Sequence, residues 1–169
     1  MKRAVKRVEL IVNVSVIGAA VLFVSSVGWV ALRPSTVRDR TSSIENGTKI
    51  TLPGWDWSKS PQTLVLVLSA DCKYCTASAP FYRRLVSRGG PEAQGTRLLA
   101  IFPRATKESR EYLASLEVNI DDLQQAVPAS VGAKGTPTLI LVNASGVVIQ
   151  SWEGLLPPHA EGEVLASIK

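Results

Sequence analysis

Apolar and polar positions divide this chain into two unlike parts. From Leu10 to Leu32 no charged side chain occurs, with Glu9 and Arg33 marking the ends. At about 1.5 Å per residue, that run is long enough to cross a hydrocarbon core of roughly 30 Å. Lys2, Arg3, Lys6 and Arg7 precede it, and Trp29 lies near its far end, where an indole suits the interface. This flank predicts a cytoplasmic N-terminus over 1–9 and a single transmembrane anchor over 10–32. The competing reading is a cleaved signal peptide. An h-region usually spans about 7–15 residues and closes on an A-x-A-like site, whereas this run is longer and has no clear site of that type. Either reading exports the remainder of the chain.

Residues 33–47 are polar and poor in large apolar side chains, which predicts a linker holding a domain over 48–169 off the bilayer. Within that domain, Lys49 to Leu52 reads as a short strand, Pro53-Gly54 as a turn, and Trp55 and Trp57 either as a cap on the core or as a platform for a partner. Thr63–Ser69 is a continuous apolar strand, the kind buried on both faces of a sheet. Lys73–Ser87 is expected to be helical, with Phe81, Tyr82, Leu85 and Val86 inside and Arg83, Arg84 and Arg88 outside. Pro80 interrupts its hydrogen bonding, and Gly89-Gly90-Pro91 ends it. Arg97–Phe102 predicts a second, parallel strand, and Thr106–Leu116 a helix started by Thr106 and Glu108. Val118–Ile120 reads as short and extended, and Asp121–Ala126 as a helical turn. Thr138–Val142 and Val147–Trp152 form a hairpin around Asn143-Ala144-Ser145-Gly146. A helix over His159–Ile168 closes the order β-α-β-α-β-β-α.

The chain of 169 residues carries a formal net charge of +5. Most of that excess lies in Lys2, Arg3, Lys6, Arg7 and Arg33, so the basic balance belongs to the membrane flank and gives no argument for nucleic-acid binding. Repeats and low-complexity tracts are absent, and what remains after the anchor is ample for one domain with its own core.

The chemistry is concentrated in Cys72-Lys73-Tyr74-Cys75, which holds the chain's only 2 cysteines. It stands where a strand gives way to a helix. Two intervening residues let both sulfurs share the first helical turn, close enough to close a small disulfide ring. The first cysteine then lies among unpaired backbone N–H groups at the positive end of the helix dipole, which favours its thiolate. Lys73 adds a positive charge. Asp71 opposes ionisation if its carboxylate faces the sulfur, or else caps the helix or is simply solvated. Tyr74 supplies a ring that would shield Cys75 or meet a substrate.

The strand–Cys-x-x-Cys–helix unit, Pro80 beyond it, and Gly135-Thr136-Pro137-Thr138 running into a hairpin together resemble the thioredoxin superfamily. The anchor, the N-terminal extension and the long central segment are similar to its membrane-anchored TlpA/ResA-like branch. The resemblance covers about Lys49 to Lys169. It implies an α/β thioredoxin fold, a central mixed sheet flanked by helices, behind one N-terminal transmembrane helix. It also implies an extracytoplasmic, periplasmic thiol–disulfide oxidoreductase that needs no cofactor. Cys72 would attack and Cys75 would resolve. Pro137 would be a cis-proline against the dithiol, exposing the backbone of Thr136 to pair with a substrate strand. Lys73 and Tyr74 occupy the positions where such proteins tune redox potential. The implied partners are exported thiol or disulfide proteins and a membrane electron donor. The chain departs from the family pattern at Leu66 and Ser78, where relatives carry an acid that accepts the second cysteine's proton, and at Asp71, where a tryptophan is usual.

Two other readings compete. Paired thiolates with the chain's single histidine, His159, would suit Cu(I) delivery, although three soft ligands do not complete a closed zinc site. A non-catalytic binding module would use the disulfide only as a staple, but so small a ring gives little entropic benefit.

Overall fold

The computed structural model describes residues 44–89 and 95–168. The expected anchor over 10–32 lies outside them, and among the described residues no helix is long and apolar enough to cross a membrane. Leu64, Val65, Leu66 and Val67 are fully buried, as a strand between two layers must be. They belong to β1 (Gln62–Val67), the middle strand of a five-stranded sheet. β2 (Thr96–Phe102) pairs parallel with β1, and β3 (Asp122–Gln125) parallel with β2. On the other side β4 (Thr138–Asn143) and β5 (Val148–Glu153) add antiparallel, giving the order β3-β2-β1-β4-β5.

Successive strand residues face opposite sides, so β1 feeds two cores. Leu64, Leu66 and Leu68 pack with Ala100, Phe102 and Leu139 on one face. That face is covered by α1 (Lys73–Ala77), α2 (Ala79–Gly89), α3 (Thr106–Ser115) and α4 (Pro158–Ser167), through Cys75, Phe81, Tyr82, Leu85, Leu113 and Val164. Val65 and Val67 join Leu99, Ile101, Ile140 and Val142 on the opposite face. Loops and short 3-10 turns cover this second core: Ile44, Ile50, Leu52, Val131 and Ala133, with Trp55 and Trp57 packed at its edge.

Several expectations change here. Ile44, expected in the linker, is 5% exposed, and its backbone N–H and C=O both bond the buried Ser151 hydroxyl, at 3.2 and 2.9 Å. The folded domain therefore includes it. The Lys49–Leu52 segment makes one antiparallel bridge, Lys49 to Val147, rather than a strand. The helix expected over Lys73–Ser87 is two helices joined at Ser78. Pro80 has no N–H for the Thr76 carbonyl and its ring crowds that oxygen, so the chain restarts its helix with Pro80 in the first turn. Residue Ala105, not Thr106, stands at the N-cap of α3, and it makes no side-chain cap bond. Asp121–Ala126, expected as a helical turn, contains β3. There pairing with β2 and an ion pair from Arg97 to Asp122 decide the conformation over local propensity. The tryptophans pack: Trp55 meets Trp57 edge-to-face at 6.1 Å, and the Arg97 guanidinium lies 4.4 Å from the Trp55 ring centre.

Candidate active site

Beyond β1 the chain turns through Ser69 to Asp71 and enters α1 at Cys72. Cys72 has the extended backbone of an N-cap residue, φ −94° and ψ 109°, and its Sγ accepts a hydrogen bond from the Cys75 N–H at 3.4 Å. Sulfur thus takes the place that a serine or aspartate oxygen usually fills at a helix start. The expected alternative, capping by Asp71, does not occur. The Asp71 carboxylate is exposed and accepts from Arg104 at 2.6 Å, while Arg104 also lies 3.8 Å from Glu108.

The Gly135–Thr138 loop meets this helix end. The Thr136–Pro137 peptide is cis, and the Cys72 S–H donates to the Thr136 carbonyl at 3.2 Å. The loop is tied on both sides, by Thr138 Oγ1 to the Gly135 carbonyl at 2.9 Å and by the Gly154 N–H to the Pro137 carbonyl at 2.8 Å. Cys72 and Thr136, 64 positions apart in sequence, are therefore in contact, with Cys75 hydrogen-bonded to Cys72 and Pro137 following Thr136. Both thiols are free; Cys75 is buried and Cys72 only partly so.

No protein-family profile and no curated protein matches the sequence. Solved structures do match. One is a Chlorobium tepidum protein assigned as a thiol:disulfide interchange protein DsbE, with 22% identity, TM-score 0.56, and coverage of 73% of this chain and 98% of that one. Another is the thioredoxin domain of a thiol-disulfide oxidoreductase from Bacteroides vulgatus, with 16% identity, TM-score 0.55, and coverage of 75% and 100%. A third is a secreted disulfide oxidoreductase from Mycobacterium tuberculosis, homologous to DsbE of E. coli, with 12% identity, TM-score 0.51, and coverage of 64% and 82%. This chain has the thioredoxin fold.

In this thioredoxin fold the two thiols differ sharply. Burial raises the Cys72 pKa, but the Thr136 side chain, the Cys75 thiol and the N–H groups of Cys75 and Tyr74 together bring it below the ordinary value. These hydrogen bonds are the largest lowering contributions. The Lys73 ammonium lies 4.9 Å over the Tyr74 ring. Tyr74 itself is 47% exposed. Burial pushes the Cys75 thiol up to about 12; its contact with Cys72 raises it too, and the Ser69 backbone and the Thr136 side chain only partly offset this.

Neither departure from the family pattern supplies a carboxylate by another route. Leu66 is fully buried, and the Ser78 hydroxyl donates to the Tyr74 carbonyl at 2.9 Å. Among the described residues no group of three or more histidine, cysteine or acidic side chains is placed to hold a metal, and His159 stands exposed in the first turn of α4.

The sequence reading missed three side chains near the dithiol. Arg104 reaches Asp71 from the far end of β2, with no sequence signal linking them. Tyr112 on α3 shares a hydrogen bond of 3.1 Å with Thr76, and burial raises its pKa. From sequence Tyr82 reads only as a core residue, yet its buried hydroxyl makes no hydrogen bond in the resting fold; its helical spacing from Cys75 is the available signal.

Proposed function

We propose that this protein is a thiol–disulfide oxidoreductase, anchored in the cell membrane by residues 10–32, with its thioredoxin-fold domain on the extracytoplasmic side. The observation that carries the reading is the inequality of the two thiols. Cys72 faces donors at a helix start while Cys75 lies buried one turn behind it. A partly exposed thiol of lowered pKa suits attack, and a protected neighbour of raised pKa suits resolution.

In the proposed cycle the Cys72 thiolate attacks a substrate disulfide. One substrate sulfur leaves as thiolate, and a mixed disulfide forms. Cys75 then loses its proton and attacks the Cys72 sulfur, which frees the second substrate thiol and leaves a Cys72–Cys75 disulfide. Two electrons pass from the dithiol to the substrate, and the reverse sequence would oxidise a substrate dithiol. Thr136 and Pro137 would dock an extended substrate segment; Tyr74 and Leu155 are half-exposed apolar side chains, and Leu155 follows Gly154, whose N–H bonds the Pro137 carbonyl. The proposed substrates are exported thiol or disulfide proteins. Net reduction would draw electrons from a membrane donor, and the uncharged run at 10–32 and the secreted M. tuberculosis neighbour favour this location.

The test is substitution of each cysteine. Cys72→Ser should abolish disulfide exchange, whereas Cys75→Ser should accumulate mixed disulfides with partner proteins, visible on non-reducing gels. Full exchange in both variants would overturn the assignment. The reduction potential then gives the direction: a value near about −270 mV fits a reductant, and one near about −120 mV an oxidant.

A further inference from the structure

Cys75, Ser78 and Tyr82 stand at i, i+3 and i+7 along the path from α1 into α2, which places them on one helix face. The path stays helical through the junction. The Ser78 N–H bonds the carbonyls of Tyr74 and Cys75, and the N–H groups of Phe81 and Tyr82 bond the Ser78 carbonyl. All three residues are buried, at 0%, 5% and 1% exposure. Side chains on a helix lean towards its N-terminus, so the Tyr82 ring points back along this face towards Ser78 and Cys75.

The result is a line of polar atoms inside an apolar core, and its inner end is unsatisfied. The Tyr82 hydroxyl faces Ser78 but stays beyond hydrogen-bond distance of it in the resting fold. Phenylalanine would fill the same space without a buried orphan, so the hydroxyl brings no benefit to the resting fold. Burial pushes the Tyr82 phenol well above its ordinary value. The Ser78 hydroxyl opposes this, and negative charge on Cys75, Tyr112 or Cys72 pushes it further up. Tyr82 therefore stays protonated and serves as a donor. The other titratable groups that interact with Cys75 and this tyrosine are Cys72 and Tyr112, and the Tyr112 hydroxyl is already engaged with Thr76.

We propose that Tyr82, acting through Ser78, stabilises the Cys75 thiolate during resolution, in the place of the carboxylate that this chain lacks at Leu66 and Ser78. This rests on the oxidoreductase reading above. As Cys75 ionises, the Ser78 hydroxyl turns from the Tyr74 carbonyl to the Cys75 sulfur, and the Tyr82 hydroxyl donates to Ser78 Oγ. The Cys75 proton leaves with the departing substrate sulfur. The Cys72–substrate bond breaks as the Cys72–Cys75 bond forms, and the hydroxyls pass no net proton. Tyr82 is a positioning residue of that step.

The experiment follows thionitrobenzoate release when the reduced full-length protein meets dithiobis(nitrobenzoate). The first phase reports attack by Cys72, and the second reports resolution by Cys75. Tyr82→Phe should leave the first phase unchanged and slow the second roughly tenfold, with its pH profile displaced upward by about one unit. Ser78→Ala should slow the same phase, and adding Tyr82→Phe to it should slow it no further. The thermal midpoint of Tyr82→Phe should equal or exceed the parent's. An unchanged second phase, additive effects in the double variant, or a lowered midpoint would overturn the proposal. Absence of both phases in the parent would instead overturn the oxidoreductase reading itself.

Discussion

Cys72 and Cys75 carry the same thiol within one helical turn, yet the fold gives them opposite surroundings. Cys72 is the residue at which the helix has not quite begun, so N–H groups of the first turn converge on its sulfur. Cys75 is already inside the turn, and its side chain drops into the core formed by Leu66, Phe81 and Leu139. Displacement by one turn thus converts a donor-rich edge into a low-dielectric interior. A helix end laid over a packed sheet differentiates two identical groups chiefly through hydrogen bonds and burial.

The sharpest way to break this contrast is to label both thiols at once. In the reduced native protein, iodoacetamide should modify Cys72 on the order of a thousandfold or more faster than Cys75, as mapped by mass spectrometry. Comparable labelling would remove the asymmetry. Next in size is the floor beneath Cys75. Leu66→Ala should destabilise the domain by about 2–5 kcal/mol in denaturant titration, because the surrounding core closes a deleted-side-chain cavity only partly.

Alkali probes the same burial through ionisation. In the unfolded chain the Cys75 thiol titrates near its ordinary 9.0, but in the fold only near about 12. Folding therefore favours the protonated thiol, and the contribution is fully present below 9.0. It declines as pH rises through that window towards about 12. The reduced parent should lose stability above 9.0 faster than Cys75→Ser, and parallel curves would deny the shift.

Smaller effects sharpen the Cys72 side. Thr136→Val keeps the backbone carbonyl that accepts from the Cys72 S–H but removes the side-chain hydroxyl that favours the thiolate. It should raise the Cys72 pKa and slow its alkylation several-fold below that pKa, with the two rates converging above it. Arg104→Ala, which frees the exposed Asp71 carboxylate, should change the same rate by no more than about twofold, and less at high salt.

What was legible in the sequence was what local pattern decides. The unbroken apolar run of β1, the Cys-x-x-Cys at its exit and Thr136-Pro137 before a hairpin each carry their meaning within a few residues. β3 was not legible, because Asp122–Gln125 has the composition of a turn and becomes a strand only by pairing with β2. Ile44 was lost to the linker because a single apolar residue in a polar stretch carries no periodicity. The Asp71–Arg104 contact and the unpartnered Tyr82 hydroxyl depend on what lies opposite in space, which spacing along one segment does not report.

The hydrogen bond from Cys72 to Thr136 spans 64 positions, and the bonds between Ile44 and Ser151 span 107. Synthesis runs from the N-terminus, so both thiols are made well before the strand and loop that distinguish them. Until β4 and β5 join the sheet, the two thiols differ only by what their own helix turn and its near neighbours supply, without Thr136 over Cys72 or Leu139 in the core around Cys75. Their full division into an attacking and a resolving group is completed with the last part of the chain.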